Sequence, residues 1–332
     1  MKDNTKNILE IDDLHTSFFT QAGEVKALNG ISFQVAFGEA IGIVGESGSG
    51  KSVTSLSIMR LLANNGKVTA GKILFEGRPL LALDDKSMQQ IRGNEISMIF
   101  QDPMTCLNPV YTIGNQIMEP LLLHQNLNRK EARVKAVEML GLVGIPAPEK
   151  RIDQYPHELS GGMRQRVMIA MALCCQPKLL IADEPTTALD VTIQAQILEL
   201  MKELKEKMNT SIILITHDLG VVAEVCSRVV VLYGGRIMES GTSEDVFYRP
   251  RHPYTWGLLR SIPRGGERLV PIEGQPPDLL NAPAGCPFCI RCEYAMKICK
   301  EINPEFTLLE EQHQVACWLL HPQAPSVERG IN

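Results

Sequence analysis

The chain has 332 residues and a hydrophobic content of 44%, which is ordinary for a globular protein and long enough for more than one domain. Its formal net charge of −5 gives no electrostatic reason to bind nucleic acid or an acidic lipid surface broadly. The sequence lacks an apolar run of the roughly 18 residues that a membrane-spanning helix needs. Since Met1–Asn7 also lacks the apolar segment of a secretory signal, we expect the chain to stay in the cytoplasm.

The first elements predicted along the chain are strands. Partly alternating apolar residues over Ile8–Phe19 and Val25–Ala36 predict half-buried strands, and the fully apolar Ala40–Val44 predicts a buried one. This buried strand runs straight into a glycine-rich loop. Helical spacing then predicts a helix over Ser52–Leu62, which Asn64-Asn65-Gly66 should stop. A phosphate-binding loop requires this order of strand, loop and helix.

The loop itself reads Gly-Glu-Ser-Gly-Ser-Gly-Lys-Ser over residues 45–52. Its glycines let the backbone turn tightly and present N–H groups to a phosphate, and the following helix adds its positive N-terminal end. The lysine can reach the outer phosphates of a nucleotide, and the last serine can ligate magnesium. The candidate nucleotide-binding residues are therefore Gly45, Ser47, Gly48, Gly50, Lys51 and Ser52.

Helices and buried strands alternate further along the chain. Ile96–Phe100 predicts a short strand, and a helical pattern from Pro103 to about Pro156 predicts a helical insertion. Leu179–Ala182 and Ile212–Ile215 are apolar without alternation, as in a parallel sheet covered on both faces, and an amphipathic helix lies between them. This alternation predicts an α/β core.

Two further groups of polar residues suit phosphate chemistry. Asp183 can organise magnesium through water, and the adjacent Glu184 can accept a proton from an attacking water. A solvated acidic turn is the alternative for this pair, but the upstream phosphate loop disfavours it. Ser160, Gly161 and Gly162 precede a predicted helix and form a second candidate anion site with its N-terminus.

Taken together, these motifs resemble the nucleotide-binding subunit of an ABC (ATP-binding cassette) transporter, in order and spacing, over roughly residues 8–245. The resemblance rests on Gly45 to Ser52, Gln101, Leu159 to Met163, Leu179 to Glu184, Ala188-Leu189-Asp190 and His217. It implies that Gln101 contacts magnesium and the lytic water, and that His217 contacts the γ-phosphate. It implies that Phe18 or Phe19 stacks on adenine, that Ser160–Gly162 bind the γ-phosphate held by an opposite subunit, and that Asp190 is a further nucleotide-binding residue.

Further strings are similar to the ATPases of oligopeptide and dipeptide importers: Ile99 to Met104, Asn108-Pro109, Tyr155 to Leu159, Thr186 to Thr192 and Arg251 to Tyr254. Such importers combine two ATPases, two permease subunits and an external binding protein, so the resemblance implies a peripheral place on the cytoplasmic face of the membrane. Peptide is the expected cargo, with nickel or another small solute as the alternative. The segment Met104–Tyr111 is the expected contact with the permease.

The tail holds a cysteine cluster. Cys286, Cys292, Cys299 and Cys317 match the spacing in the tail of this importer family, where four thiolates hold a [4Fe–4S] cluster. Zinc is an alternative, as is a metal-free tail, because cysteine spacing discriminates poorly between metals. Cys289 is a fifth candidate, which we take as a spare.

We therefore expect an α/β protein with a P-loop NTPase (RecA-like) core, an N-terminal antiparallel β subdomain, an inserted α-helical subdomain and a small cysteine-rich C-terminal extension. The expected nucleotide-binding domain is 1–265, with its helical subdomain at about 103–158, and the extension is 266–332. ATP, magnesium and the cluster are the expected cofactors. An ABC ATPase without a transporter and an electron-transfer protein fused to an ATPase are the rival interpretations. The expected partner ATPase is a related chain, with a second copy as the alternative.

Overall fold

The computed structural model describes residues 7–101, 106–186, 190–262 and 271–327. It divides into two compact units, which we name by their content. The helical unit consists chiefly of Ala82–Leu214 together with Ala36–Glu39, and the loop unit consists of Leu9–Val35, Ala40–Leu81 and Ile215–Asn332. Within the described ranges, each helix is too short or too polar to cross a membrane.

The first part of the loop unit contains β1 (Asn7–Thr20), β2 (Gly23–Ala36), β3 (Ala40–Val44), α1 (Lys51–Met59), β4 (Gly66–Phe75) and β5 (Arg78–Pro79). One sheet has the order β2-β1-β4-β5, and β1 runs antiparallel to β4 in a register that leads from Leu9↔Phe75 to Phe18↔Gly66. Apolar side chains alternate along these strands and bury one face of the sheet, as Leu28, Ile31 and Val35 do on β2. The predicted N-terminal antiparallel sheet is thus confirmed.

Helix α1 ends earlier than the sequence predicted. The predicted end was Leu62, but the helix ends at Met59 because Arg60 adopts a left-handed conformation with φ 51°. The N–H of Leu61 then donates to the carbonyl oxygen of Leu56 at 2.8 Å, which is a typical helix-terminating bond. Gly66, which was expected to stop the helix, instead begins β4.

The helical unit contains α2 (Asp85–Ile91), β6 (Ile96–Ile99), α3 (Ile113–His124), α4 (Arg129–Leu142), α5 (Pro148–Arg151), α6 (Gly161–Leu173), β7 (Leu179–Asp183), α7 (Val191–Met208) and β8 (Ser211–Ile215). Its strands lie in the order β8-β7-β6, and β6 is parallel to β7 from Ile96↔Leu179 to Ile99↔Ala182. Every residue of β7 is buried, as its unbroken apolar run predicts.

Helices α3, α4 and α6 of this unit pack against one another. The apolar stripe of α4 is core, because Ala132, Ala136, Met139 and Leu140 are all buried. Asn128 starts this helix with a capping box that includes Glu131, so its first N–H groups are satisfied locally. The predicted helical insertion is therefore confirmed.

The rest of the loop unit contains α8 (Leu219–Val225), β9 (Arg228–Tyr233), β10 (Arg236–Thr242), α9 (Ser243–Tyr248), α10 (Pro253–Arg260), α11 (Lys297–Glu301), β11 (Thr307–Glu310) and β12 (His313–Val315). Its second sheet has the order β11-β12-β10-β9-β3. Strand β12 pairs with β10 at Glu239↔Val315, so the cysteine-rich tail extends a sheet that also holds β3. The proposed boundary near residue 265 falls within 263–270, outside the described residues, and stays a prediction.

A buried ionisable pair fastens the tail to this sheet. Glu239 of β10 is fully buried, and its carboxylate accepts hydrogen bonds from the backbone N–H groups of Arg251 (2.7 Å) and His252 (3.0 Å). His313 of β12 is buried beside it, with 2.8 Å between His313 Nε2 and Glu239 Oε1. Burial raises the pKa of Glu239 against the effect of these bonds, so the carboxylate depends on its partners.

We predict that His313→Ala lowers the free energy of unfolding by about 2 kcal/mol, because it leaves a buried carboxylate short of a hydrogen-bond partner. Urea denaturation of the purified chain measures this loss. Lys207→Ala is the matched control, since it removes an exposed pair with Glu203 at 3.4 Å and should cost less than about 1 kcal/mol. Equal losses in the two variants would contradict the prediction.

Candidate functional site

The glycine-rich loop joins β3 to α1 in the loop unit and packs too closely for side chains at two positions. A Cβ at Gly45 would collide with the carbonyl oxygen of Leu232, and φ here is 155°. A Cβ at Gly50 would lie 2.8 Å from Leu28 Cδ2 and 3.0 Å from the carbonyl oxygen of Ala27, with φ 109°. Glycine is therefore required at both ends of the loop by close approach as well as by backbone conformation.

The middle of the loop is open and polar. No atom of the described residues lies within 4 Å of the position that a Cβ would take at Gly48, apart from its chain neighbours. Ser47 and Ser52 are exposed, and Gly50 precedes α1 without a side-chain cap. The first turn of α1 therefore presents its N–H dipole end to the loop, which is the arrangement that attracts a phosphate.

Lys51 lies across this loop. Its side chain is 7% exposed, and Nζ donates hydrogen bonds to the carbonyl oxygens of Gly45 (2.8 Å) and Glu46 (2.9 Å). Backbone oxygens thus hold the ammonium group at the loop, where the oxygens of a nucleotide phosphate would accept its hydrogen bonds. The lysine side chain therefore folds back onto the loop that precedes it.

Three other predicted residues of the loop unit are Phe18, Phe19 and His217, which differ in exposure. Phe18 packs over Gly66, whose Cβ position lies 2.8 Å from Phe18 Cε1, whereas Phe19 is 48% exposed. His217 is exposed in the turn after β8, beside Asp218, which caps α8 by accepting from the N–H of Gly220 at 2.9 Å. Phe19 is thus the more exposed of the two candidate residues.

The helical unit brings together the predicted acidic pair and the predicted glutamine. Asp183 is buried at the end of β7, and Glu184 follows it with a left-handed φ of 47°. Gln101 follows the neighbouring strand β6, and its Nε2 donates to Glu184 Oε2 at 3.0 Å. Because the carboxyl ends of neighbouring parallel strands meet at one edge of a sheet, residues far apart in sequence become adjacent here.

The second candidate anion site lies at the start of α6 in the same unit. Ser160 is exposed and caps α6, with its hydroxyl accepting from the N–H of Met163 at 3.3 Å. Asp190 caps α7 by accepting from the N–H of Ile193 at 3.0 Å, and Ile193 Cγ2 lies 3.0 Å from the Cβ position of Gly162. Ile193 thus contacts two predicted residues, Asp190 through its N–H and Gly162 through its side chain. Of the remaining motif, Gly161 is exposed, and Ala188 and Leu189 lie outside the described residues.

Sequence reasoning missed Gln165, which is 1% exposed on α6. Its side-chain amide donates to the carbonyl oxygen of Pro185, the residue after Glu184, so it ties the helix of the second anion site to the acidic pair. A lone glutamine carries little information in a sequence. The available signal was helical spacing, because Gln165 shares its buried face with Met168, Ile169 and Ala172.

The predicted tail cysteines approach one another. The N–H of Cys286 donates to the carbonyl oxygen of Cys299 at 2.8 Å. Burial, and then the nearby thiolates of Cys286, Cys292 and Cys299, raise the pKa of Cys317 to about 12. Burial also raises the pKa of Cys286 to about 12 and the pKa of Cys292 to about 11. It raises the pKa of Cys289 as well. In the described part of the chain, no group of three or more His, Cys, Asp or Glu side chains is arranged to hold a metal ion.

An open groove lies beside the predicted permease contact in the helical unit. It has a volume of about 700 Å³ and is lined in part by Cys106, Tyr111, Leu122 and Leu123. Tyr111 is 54% exposed and Leu123 67%, so apolar side chains of its lining are accessible beside polar ones such as Asn115 and Glu119. Val110, next to Tyr111 in the chain, is 72% exposed. Met104 and Thr105 of the predicted contact lie outside the described residues.

The amino-acid sequence is similar to that of known proteins along most of its length. Residues 28–187 match the ABC transporter family, and residues 238–299 match the oligopeptide/dipeptide transporter C-terminal region. The chain is 59% identical over 326 residues to the oligopeptide transport ATP-binding protein OppD of Bacillus subtilis, covering 97% of this chain and 91% of the relative. It is 56% identical over 323 residues to the dipeptide transport ATP-binding protein DppD of the same organism, covering 96% of each.

A solved structure agrees in fold. A dimeric ATP-binding cassette in a post-hydrolysis state, bound to ADP and phosphate, superposes with a TM-score of 0.64 and 29% identity, covering 71% of this chain and 98% of that one. The predicted fold class, a P-loop NTPase cassette with an antiparallel β subdomain and a helical insertion, is confirmed. With a phosphate loop, an acidic pair and these relatives, the chain belongs to the ATP-hydrolysing subunits of ABC transporters, in the oligopeptide/dipeptide transporter family.

Proposed function

We propose that this chain hydrolyses ATP to power the import of di- or oligopeptides, and that it lies at the cytoplasmic face of the membrane, attached to permease subunits. The hydrogen bond between Gln101 and Glu184 carries the chemical part of the proposal, because it sets a carboxylate beside an amide where a water can be held. The peptide cargo is supported by the oligopeptide and dipeptide transport functions of the relatives and by the matching C-terminal region. Nickel or another small solute is the alternative cargo.

Each predicted residue then receives a role. The loop 45–50 and Lys51 bind the phosphates, and Ser52, Gln101 and Asp183 hold magnesium, whose charge offsets that of the phosphates. Glu184 takes the proton of the attacking water, and His217 contacts the γ-phosphate. Phe19 or Phe18 stacks on the adenine. The exposed hydroxyl of Ser52 and the carboxylate of Asp183 are oxygen donors of the kind that magnesium prefers.

The second anion site serves a partner's nucleotide. Ser160, Gly161 and the N-terminus of α6 offer a hydroxyl, open backbone and a positive helix end, and these groups are exposed. Asp190 is the neighbouring cap that takes part in this second site. The solved cassette with ADP and phosphate is a dimer, which supports pairing. We propose a related ABC ATPase as the partner and a second copy of this chain as the alternative.

Replacing Glu184 by glutamine tests the proton acceptor. We predict that Glu184→Gln lowers the ATPase rate by about 100-fold or more, because an amide cannot take the proton, while ATP affinity is retained. The variant should accumulate as a closed, ATP-bound dimer in size-exclusion chromatography. Steady-state phosphate release and equilibrium ATP binding measure the two effects separately.

Two other variants act as controls for this prediction. Glu199→Gln makes the same change on an exposed face of α7, where the carboxylate pairs only loosely with Lys202 at 3.6 Å, and should leave hydrolysis intact. Lys51→Ala should weaken ATP binding itself. Rapid turnover by the Glu184 variant would exclude Glu184 as the base, and normal ATP affinity after loss of Lys51 would exclude its phosphate role.

The open groove beside Val110 and Tyr111 is the proposed permease contact. We predict that Leu123→Glu, which places a charge on the accessible apolar part of the lining, abolishes co-purification with the permease subunits and peptide uptake. The ATPase activity of the isolated chain should not change. Val134→Glu is the matched control, because Val134 is 59% exposed on α4 and does not line the groove. Uptake that survives the Leu123 change would contradict this contact.

For the tail we propose a [4Fe–4S] cluster held by Cys286, Cys292, Cys299 and Cys317. The proposal is supported by the nearness of these thiols: after burial, the thiolates of Cys286, Cys292 and Cys299 raise the pKa of Cys317, so a cationic group would relieve their mutual repulsion. The described side chains as they stand are not arranged to hold a metal ion, so binding the cluster requires them to rearrange. Cys289 is assigned as the spare because it lies outside the set that matches the family spacing. The cluster would serve as a structural staple.

We predict that the purified chain is brown and contains iron and sulfide, and that Cys292→Ser removes most of this iron. Cys289→Ser should retain it. Cys226→Ser, a change at a buried cysteine outside the tail, is the control. Elemental analysis and the absorption spectrum measure the outcome, and a colourless chain with bound zinc or without metal would refute the cluster.

A further inference from the structure

A buried arginine of the tail reaches the phosphate loop. Arg291 lies between Cys289 and Cys292, and its side chain is 3% exposed. Its guanidinium forms a fork with the carboxylate of Glu46, the second residue of the loop, with 2.5 Å from Nη1 to Oε2 and 3.1 Å from Nη2 to Oε1. This is the bidentate geometry that makes arginine–carboxylate pairs strong and directional.

Other acceptors hold the arginine in place. Its Nε donates to the carbonyl oxygen of Glu273 at 2.8 Å, Nη2 to that of Ile272 at 2.9 Å, and Nη1 to the hydroxyl of Tyr233 at 3.1 Å. An arginine guanidinium stays protonated in proteins. The cation therefore cannot leave Glu46 without losing several hydrogen bonds.

The same tail segment also reaches the loop indirectly, through Tyr254 and through Gly234-Gly235. The N–H of Glu46 donates to the hydroxyl of Tyr254 at 2.8 Å, and Phe288 packs on the ring of Tyr254 at 5.2 Å. Pro287 Cβ lies 2.9 Å from the Cβ position of Gly234, whose neighbour Gly235 donates its N–H to the carbonyl oxygen of Ser49 at 2.9 Å. The segment 286–292 thus supports the loop near both of its ends.

Glu46 also links this support to the phosphate-binding lysine. Its backbone carbonyl oxygen accepts a hydrogen bond from Lys51 Nζ at 2.9 Å, while its carboxylate accepts from Arg291. Glu46 brings a negative charge into a loop that binds a polyanion. Without a cation beside it, that carboxylate would repel the phosphates and would be free to move the backbone that orients Lys51.

We propose that Arg291 is a positioning residue for ATP: by neutralising and fixing Glu46, it sets the affinity of the loop and couples that affinity to the order of the segment 286–292. The proposal rests on the function proposed above. It assigns to the tail an effect on nucleotide binding and requires no electron transfer. Because coupling between two sites is reciprocal, ATP should in turn stabilise the segment.

The sharpest test is a double-mutant cycle on the full-length chain, with the equilibrium affinity for ATP and magnesium as readout. We expect Arg291→Met to weaken ATP binding about tenfold, because it leaves the Glu46 carboxylate uncompensated. Glu46→Gln is the reference without the carboxylate charge, and Arg291→Met added to it should cost little further affinity, so the double variant Arg291→Met/Glu46→Gln should recover most of the loss. If Arg291 only stabilised the tail, Glu46→Gln would not restore ATP affinity in the Arg291→Met background.

Arg133→Met is the matched control, because Arg133 forms the same fork with Asp153 at 2.8 and 2.7 Å on the surface of the helical unit. It should leave ATP affinity unchanged. Steady-state kinetics should show the Arg291→Met effect mainly in KM, whereas loss of the proton acceptor Glu184 acts on kcat.

Hydrogen exchange of the backbone provides a second readout, independent of hydrolysis. We expect ATP to slow exchange over residues 286–292 in the natural chain and to have no such effect in Arg291→Met. Unchanged ATP affinity in Arg291→Met, or a loss that Glu46→Gln fails to recover, would overturn the proposal. In that case Lys51→Ala would still weaken ATP binding, whereas failure of the natural chain to bind ATP would overturn the proposed function itself.

Discussion

The close approach of the loop backbone to its neighbours is the constraint on which the ATP site depends. At Gly45 the carbonyl of Leu232 occupies the space of a side chain, and at Gly50 the space is filled by Leu28 and Ala27. The loop is therefore shaped by strand β9 and by β2 as much as by its own glycines. Lys51 completes the arrangement, because its ammonium group is held by loop carbonyl oxygens before any phosphate arrives.

Several candidate ligands have a second task as helix caps. Ser160 caps α6 and Asp190 caps α7, while Asp218, next to His217, caps α8. A cap contributes about 1 kcal/mol to its helix, so a substitution at Ser160 or Asp190 would change local stability as well as binding. Helix N-termini attract anions and need caps for the same reason, which is their unsatisfied N–H groups. Function and local stability therefore share the same atoms in the helical unit.

The tail is structurally part of the loop unit. Its last strand pairs with β10, its His313 satisfies the buried Glu239, and its Arg291 satisfies Glu46 of the phosphate loop. Buried charges of this kind require partners, and here the partners come from the tail. Within the loop unit, the cysteine-rich segment thus supplies a cation that pairs with a carboxylate of the phosphate loop.

Local sequence by itself determined the phosphate loop, the acidic pair after β7, the anion site at Ser160 and the periodicity of most helices and strands, because glycine, capping residues and apolar spacing act over a few residues. Only the tertiary structure decided which residues far apart in sequence form hydrogen bonds. These bonds join Gln101 to Glu184, Gln165 to Pro185, and Arg291 to Glu46. The tertiary structure also decided the early end of α1 and the pairing of β12 with β10. A lone polar residue carries no local signal, since its role depends on which distant atom the fold brings within hydrogen-bond distance.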